Sequence, residues 1–158
     1  MEPAPRRWDR DEFRIDTDRA RVDLDVVHGF LTQCYWARGI PRDVVRRSID
    51  GALCFGIYHE GGADGAAGAG QVGFARVITD YTTFAYVGDV FVLEAWRGRG
   101  LSKWLMECIT GHPNLQGLRR WVLATRDAHG LYRQFGFTEL PSPERWMQRW
   151  DPDVYTRG

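Results

Sequence analysis

The 158-residue sequence has few cysteines, a single lysine and no long apolar run. Its three cysteines, Cys34, Cys54 and Cys108, are odd in number and form no C-x-x-C pair, which argues against a disulfide framework or a zinc site. No apolar stretch approaches the ~20 residues that cross a bilayer, and no signal-peptide core follows the first residues. We therefore expect a single cytoplasmic domain over residues 1–158, with no metal and no membrane partner.

The sequence also lacks an excess of charge, since 21 basic residues balance 21 acidic ones. The charges are unevenly distributed: residues 51–94 carry five carboxylates and one arginine, whereas residues 95–135 carry seven basic and two acidic side chains. Solvated surface charge is the ordinary cause of such clusters. A local basic cluster on a neutral chain otherwise suits a small polyanion, because nucleic acid needs an extended basic face. We predict no nucleic-acid partner.

The hydrophobic periodicity predicts an α/β (α+β) order of elements. Strands are predicted at residues 12–16, 52–59, 71–79, 82–93 and 121–124, with closing strands at Phe137 and 145–150. Helices are predicted at residues 22–36, 41–50, 99–110 and 127–135. Residues 61–70 are rich in glycine and alanine, which predicts a flexible loop within the domain. A β-α-β unit is thus embedded in an otherwise antiparallel sheet.

The segment that follows the third long β-rich run is rich in glycine and arginine, Arg97-Gly98-Arg99-Gly100-Leu101-Ser102. A helix start carries unpaired N–H groups and a partial positive charge, and glycines let that backbone approach an anion closely. The segment lacks both the Walker pattern and the dinucleotide pattern G-x-G-x-x-G. We interpret residues 97–102 as a phosphate cradle; a plain strand-to-helix turn with exposed arginines is the alternative.

The cradle and the segment at 125–137 together resemble the GNAT superfamily of acyl-CoA-dependent N-acetyltransferases. That family carries [QR]-x-x-G-x-[GA] at the start of a helix and, later, N-x-x-A-x-x-x-Y-x-x-x-G-F. The matching positions are Arg97, Gly100, Ala128, Tyr132, Gly136 and Phe137. Ser102 stands where Gly or Ala is expected, and Thr125 stands where Asn is common.

The resemblance implies the GNAT fold, a single mixed, mostly antiparallel sheet of about six to seven strands flanked by about four helices. A central strand pair would splay apart and leave a cleft for the pantetheine arm of acetyl-CoA, the co-substrate. The cradle amides would hold the pyrophosphate. The residues that the resemblance assigns to coenzyme A binding are Phe91, Val92, Arg97, Gly98, Arg99, Gly100, Leu101, Ser102, Thr125, Ala128 and Leu131.

The resemblance further implies that a primary amine of a small molecule or peptide attacks the thioester directly. Tyr132 matches the general acid of the family, and its ordinary pKa of ~10 keeps the phenol protonated. A core tyrosine that packs under Phe137 is the alternative. Asp89 is the candidate base, acting directly or through water, or it binds a cationic acceptor; an Asp paired with an arginine is equally ordinary. The backbone N–H of Val92 is the matched oxyanion donor.

Trp36, Tyr86 and Asp89 are the residues predicted to contact the acceptor, and aromatic faces suit ammonium or aromatic amines. Three further readings stay open at this level. The donor could carry a larger acyl group, the protein could be a non-catalytic acyl-CoA sensor or interaction module, and the chain could form a homodimer.

Overall fold

A computed structural model describes residues 2–61 and 70–157, so most of the loop predicted at 61–70 lies outside the described residues. Six strands form one sheet in which sequence neighbours are also spatial neighbours. The strands are β1 (Arg7–Arg10), β2 (Phe13–Asp16), β3 (Leu53–His59), β4 (Gly70–Thr79), β5 (Phe84–Val92) and β6 (Arg120–Val122). Neighbouring strands are antiparallel from β1 to β5, and β5 pairs with β6 in parallel.

The helices occupy both faces of this sheet. They are α1 (Leu24–Leu31), α2 (Arg42–Asp50), α3 (Leu101–Thr110) and α4 (His129–Arg133). Helix α1 begins where the Asp23 carboxylate accepts hydrogen bonds from the amides of Asp25 and Val26, which satisfies two of the unpaired N–H groups of a helix start. The architecture expected from the sequence, a mixed and mostly antiparallel sheet flanked by four helices, is confirmed.

Two apolar clusters separate the faces of the sheet. Leu105 of α3 packs in the cluster that contains Phe55 and Ile57 of β3. Val45 of α2 packs in the other cluster, with Phe74 of β4. Because successive strand residues point to opposite faces, the apolar runs of β3 and β4 supply both cores at once. The continuous apolar character that the sequence shows in these strands follows from this burial on both sides.

The pairing between β5 and β6 stops early. Its register runs only from Phe84 opposite Arg120 to Tyr86 opposite Val122, while β5 continues to Val92. The other side of β5 has a register shift in its pairing with β4 beside Phe74. The central strands therefore splay, as the resemblance implied, and a wedge opens between the second half of β5 and the chain that follows β6.

The closing strands predicted at Phe137 and 145–150 are wrong. After α4 the chain forms a short 3-10 turn at Pro143–Arg145 and pairs with no strand within the described part of the chain. Gly136 turns the backbone at φ +87°, and proline has no N–H to donate to a sheet. A hollow of about 740 Å³ lies beside β6 where such a strand would pair.

Strand β1 was not predicted, because its residues are mostly exposed and charged and show no apolar alternation.

Candidate active site

The wedge between β5 and β6 forms an open cleft of about 580 Å³. Strand β5 contributes one wall, and the loop from β6 to α4 contributes another. Six of the residues predicted from the sequence line it together, Trp36, Tyr86, Asp89, Thr125, Ala128 and Tyr132. The splayed strands thus bring the acceptor, base and acid candidates to one cavity with Thr125 and Ala128, whereas the other residues assigned to coenzyme A binding do not line it.

Tyr132 lies on α4 and is 8% exposed. Burial raises the pKa of its phenol, and the neighbouring Tyr35 and Asp127 raise the pKa further. The hydroxyl has no hydrogen-bond partner within residues 2–61 and 70–157. The ring also packs edge-on against Phe137 at 6.0 Å between centroids, so the packing alternative is present as well. The group is therefore a protonated, unengaged donor at the cleft wall.

The loop that carries Tyr132 is held by a local hydrogen bond. The hydroxyl oxygen of Thr125 accepts from the amide of Ala128 at 3.0 Å. This contact is a local side-chain to backbone hydrogen bond that closes the turn before α4, whose own first amides receive no side-chain cap within the described residues. Threonine at the position where asparagine is common therefore still fixes the β6 to α4 turn.

The phosphate cradle has the backbone form that anion binding requires. Gly100 is the cap residue of α3 at φ +75°, and within the described chain no side chain caps the first amides of that helix. Gly98 also has positive φ, and a Cβ built at either glycine meets nothing within 4 Å. Helix α3 is 10 residues long, so its N-terminal amides carry the partial positive charge of a full helix. Within the described residues, the amides of Leu101 and Ser102 have no hydrogen-bond acceptor.

The two cradle arginines are already engaged inside the protein. Arg97 Nε donates to the carbonyl oxygen of Val92 at 3.0 Å, and the Arg99 guanidinium lies 5.1 Å from the ring centroid of Trp96. Arg97 therefore joins the cradle to the end of β5. Anion binding here relies first on the backbone amides and on the positive charge nearby.

The amide of Val92 points towards the cleft side of β5. Leu93 N donates to Val72 O across the β4–β5 pair, and Val92 lies opposite Gly73. Since alternate residues of an antiparallel strand direct their N–H groups to opposite edges, the Val92 N–H points away from β4. This edge of β5 has no ladder partner at Val92, because the pairing with β6 ends at Tyr86.

Three of the residues assigned to coenzyme A binding have buried side chains. Phe91 stacks on Phe30 at 4.0 Å between ring centroids. Val92 and Leu101 belong to the apolar cluster that contains Phe55. Leu131 is half-buried against that same cluster. Phe91, Val92 and Leu101 can therefore meet a ligand only through the backbone.

Asp89 has a strained backbone conformation, and both of its carboxylate oxygens accept a hydrogen bond. Its φ is +53°, which is uncommon for a residue with a side chain and marks the register shift in β5. The carboxylate forms an ion pair with Arg76 and accepts a hydrogen bond from Trp36 Nε1 at 2.9 Å. Its side chain is 10% exposed. Asp89 thus links the acceptor candidate Trp36 to an arginine that the sequence analysis did not single out.

Arg76 and Tyr155 are the cleft residues that sequence reasoning missed. A lone arginine within the apolar run of β4 was a usable signal, because a charge in a buried strand requires a partner. Tyr155 follows the last predicted element, and no pattern connects it with the cleft.

The described residues contain no group of three or more His, Cys, Asp or Glu side chains that could hold a metal ion. Among the helices of residues 2–61 and 70–157, none has the length and apolar character needed to span a membrane.

Comparison with known proteins agrees with this geometry. The family model for the acetyltransferase (GNAT) domain matches residues 50–139. A candidate acetyltransferase of Gibberella zeae is 30% identical over 145 residues, covering 81% of this chain and 80% of its own. The chain belongs to the GNAT acetyltransferase family.

Two solved structures extend the comparison. A GNAT-family protein of Xanthomonas campestris pv. campestris is 50% identical and superposes with a TM-score of 0.82, over 91% of this chain and 96% of that one. A Clostridium acetobutylicum protein described as an acetyltransferase with acetyl-CoA is 12% identical, with a TM-score of 0.59 over 87% of this chain and 94% of its own. The second shares only the fold at this identity.

Proposed function

We propose that this protein transfers an acetyl group from acetyl-CoA to a primary amine by direct attack. The observation that carries the proposal is the cleft between β5 and β6: the unengaged phenol of Tyr132 lines it, the unpaired amide of Val92 lies further along β5, and the uncapped helix start at Gly100 follows β5 in the chain. The first two groups are the donors that acyl transfer requires. Family membership and the neighbour described with acetyl-CoA support the same donor.

Each group has one role in this reaction. The cradle amides bind the pyrophosphate, and the Val92 N–H donates to the carbonyl oxygen as the amine nitrogen forms its bond to the carbonyl carbon. Tyr132 gives its proton to the sulfur as the C–S bond breaks. The nitrogen loses a proton to solvent or a carboxylate, and solvent returns a proton to Tyr132. The products are an amide and free coenzyme A.

Asp89 is assigned primarily to orienting the acceptor. Each of its carboxylate oxygens already accepts one hydrogen bond, from Trp36 or Arg76, and each retains further acceptor capacity. Since Arg76 compensates the negative charge, proton removal from the amine proceeds through a water that Asp89 holds. An arginine-paired carboxylate is also what a non-catalytic acyl-CoA sensor of this fold would carry.

The test is thiol release from acetyl-CoA across a panel of primary amines, with Tyr132→Phe as the variant. We expect acceptor-dependent thiol from the natural protein and a loss of about 100- to 10,000-fold in kcat for the variant, the range of a lost general acid. Coenzyme A affinity by calorimetry should stay unchanged.

Tyr58→Phe is the matched control, because Tyr58 is a buried tyrosine of β3 whose hydroxyl has no partner within the described residues. It should retain full turnover. A protein that binds coenzyme A but releases no thiol with any amine would be a sensor.

A further inference from the structure

We infer that Tyr155, which the C-terminal turn at residues 151–157 holds in place, forms one wall of the acceptor pocket and determines which amines fit. This inference rests on the proposed function and deepens it. It also names the acceptor class, primary amines that carry a flat aromatic group.

The C-terminal turn is held together by its own contacts. Arg157 donates two hydrogen bonds to the carboxylate of Asp151, each at 2.9 Å. The amides of Thr156 and Arg157 both donate to the carbonyl oxygen of Asp153, at 3.1 and 2.9 Å. A bidentate arginine pair adds geometric definition as well as energy. The segment therefore has a fixed shape, although it contains no helix or strand.

The turn is docked on the loop between α1 and α2. Tyr155 is half-buried while its neighbours in the turn are exposed, and it packs against the buried cluster that contains Ala37 and Ile40. Thr156 Cγ2 lies 3.4 Å from the position of a Cβ built on Gly39. Gly39 has φ +79°, which leaves the backbone of that loop close to the turn. The C-terminal turn therefore lies beside the cleft.

Tyr155 completes an aromatic side of the cleft. It lines the cavity together with Tyr35 and Trp36, whose exposed fractions are 52% and 41%. Large aromatic side chains that stay exposed at a concave site mark a recognition surface, because burial would otherwise be favourable. The α1–α2 loop and the C-terminal turn that packs on it therefore supply three aromatic residues to the cleft.

The charges of the cleft favour an aromatic acceptor over a polycation. Asp89 is paired with Arg76, and Asp127 lies 3.8 Å from Arg126. The face of Tyr35 already receives the Arg126 guanidinium at 3.9 Å from its ring centroid. With both carboxylates compensated and one ring face occupied by a cation, the remaining recognition is the stacking of a flat group against aromatic rings.

The experiment compares Tyr155→Ala with the natural protein on two probes, 2-phenylethylamine and n-butylamine. We expect kcat/KM for the phenyl amine to fall by roughly 3- to 10-fold more than for the alkyl amine, the range of one lost aromatic contact. KM for acetyl-CoA should not change. Tyr155→Phe keeps the ring and should retain the preference, and Val154→Ala, in the same turn but exposed, should behave as the natural protein.

Binding of both amines to the coenzyme A complex, measured by calorimetry, separates this inference from the proposed function. If both amines bind without turnover, and if Tyr155→Ala removes the preference for the phenyl amine, the acceptor pocket is supported and the proposed acetyl transfer is overturned. If the natural protein and Tyr155→Ala turn over both amines with the same preference, the acceptor pocket is overturned and the proposed acetyl transfer stands. Loss of activity by equal factors on both amines also overturns the pocket, since a structural role predicts that result. Absence of both binding and turnover overturns both proposals.

Discussion

The two halves of the sheet differ in how completely their strands pair. Strands β3 and β4 stay in register from Leu53 opposite Val77 to His59 opposite Gly70, with one bulge. Strands β5 and β6 pair over three positions and then separate. The fully paired half contains most of the buried aromatic and aliphatic side chains, whereas the open half carries the cleft. Stability and ligand binding are therefore assigned to different parts of one sheet.

This difference has a simple physical basis. In the paired half, ladder hydrogen bonds use the backbone groups and leave them unavailable to a ligand. Where β5 separates from β6, its N–H groups remain free on the cleft side, and that is the condition for an oxyanion donor at Val92. The open wedge gains no ladder bonds in return, so the hydrogen bond from Ala128 to Thr125 and the packing of Tyr132 hold its far wall.

The largest expected effect is on the free energy of unfolding, and it comes from a substitution in the paired half of the sheet. Phe74 of β4 is completely buried beside Phe91. Phe74→Ala should lower the free energy of unfolding by about 3–5 kcal/mol, because it removes apolar contacts and leaves a cavity. Urea unfolding followed by fluorescence measures this loss. Tyr132→Phe, in the open half, should change the free energy of unfolding far less; equal losses in both halves would contradict the division.

The next effect concerns the cradle alone. Gly100→Glu should weaken coenzyme A binding by at least about 10-fold, because the new carboxylate repels the pyrophosphate at a helix start that favours anions. Calorimetry with coenzyme A gives the dissociation constant.

Gly117→Glu is the matched control for the cradle. Gly117 also has positive φ, +76°, and open space around it, so the control carries the same backbone strain without the cradle. Similar affinities for the two variants would show that the pyrophosphate binds elsewhere.

A smaller effect is the pH dependence of the free energy of unfolding that His112 causes. His112 is fully buried against Trp8 and Phe55, its Nδ1 accepts from the amide of Asn114, and its Nε2 has no partner within the described residues. Burial lowers its pKa from the ordinary 6.5, and the charge of Arg6 lowers the pKa further. The unfolded chain therefore binds a proton at a pH where the folded protein does not.

The sign of the pH effect follows from that proton. As pH falls below about 6.5, this residue should reduce the free energy of unfolding, by up to about 1.4 kcal/mol per pH unit until the folded pKa is reached. Urea titrations at pH 7.5, 6.5 and 5.5 measure this slope. His112→Asn retains an acceptor for Asn114 and should flatten the dependence; an identical slope in both proteins would remove His112 as its cause.

The smallest expected effect concerns the wall of the wedge. Thr125→Val removes the oxygen that accepts from Ala128 and keeps the side-chain volume. The loss of one such hydrogen bond costs about 0.5–1.5 kcal/mol. We expect a fall in the melting temperature and a rise in KM for acetyl-CoA, while Thr82→Val, in the exposed turn before β5, should leave KM unchanged. An unaltered KM for Thr125→Val would place the coenzyme outside this loop.

The elements that the sequence predicted well are those with strong periodicity or a glycine-bounded motif. Strands β3, β4 and β5 and helix α3 were all found within a few residues, because their apolar patterns are long and because glycines flank β3, the start of β4 and both ends of α3. The cradle and the Tyr132 segment could be identified because their residues match the two spaced motifs of the family.

The remaining features depend on contacts that are distant in sequence. The pairing of Asp89 with Arg76 and Trp36 joins three separate elements, and only the fold makes it visible. The C-terminal turn is short and polar, so nothing in its pattern indicates that Tyr155 reaches the cleft. The closing strands were predicted from Phe137 and the short run at 145–150 alone, and a short run does not reveal whether an edge is available to pair.

A crystal structure of the protein with acetyl-CoA tests the central claim most directly. The account predicts the pyrophosphate on the amides of Leu101 and Ser102, the pantetheine between β5 and the loop after β6, and the thioester sulfur within hydrogen-bond reach of the Tyr132 hydroxyl. A pyrophosphate bound away from the cradle, or a Tyr132 hydroxyl directed away from the sulfur, would contradict it.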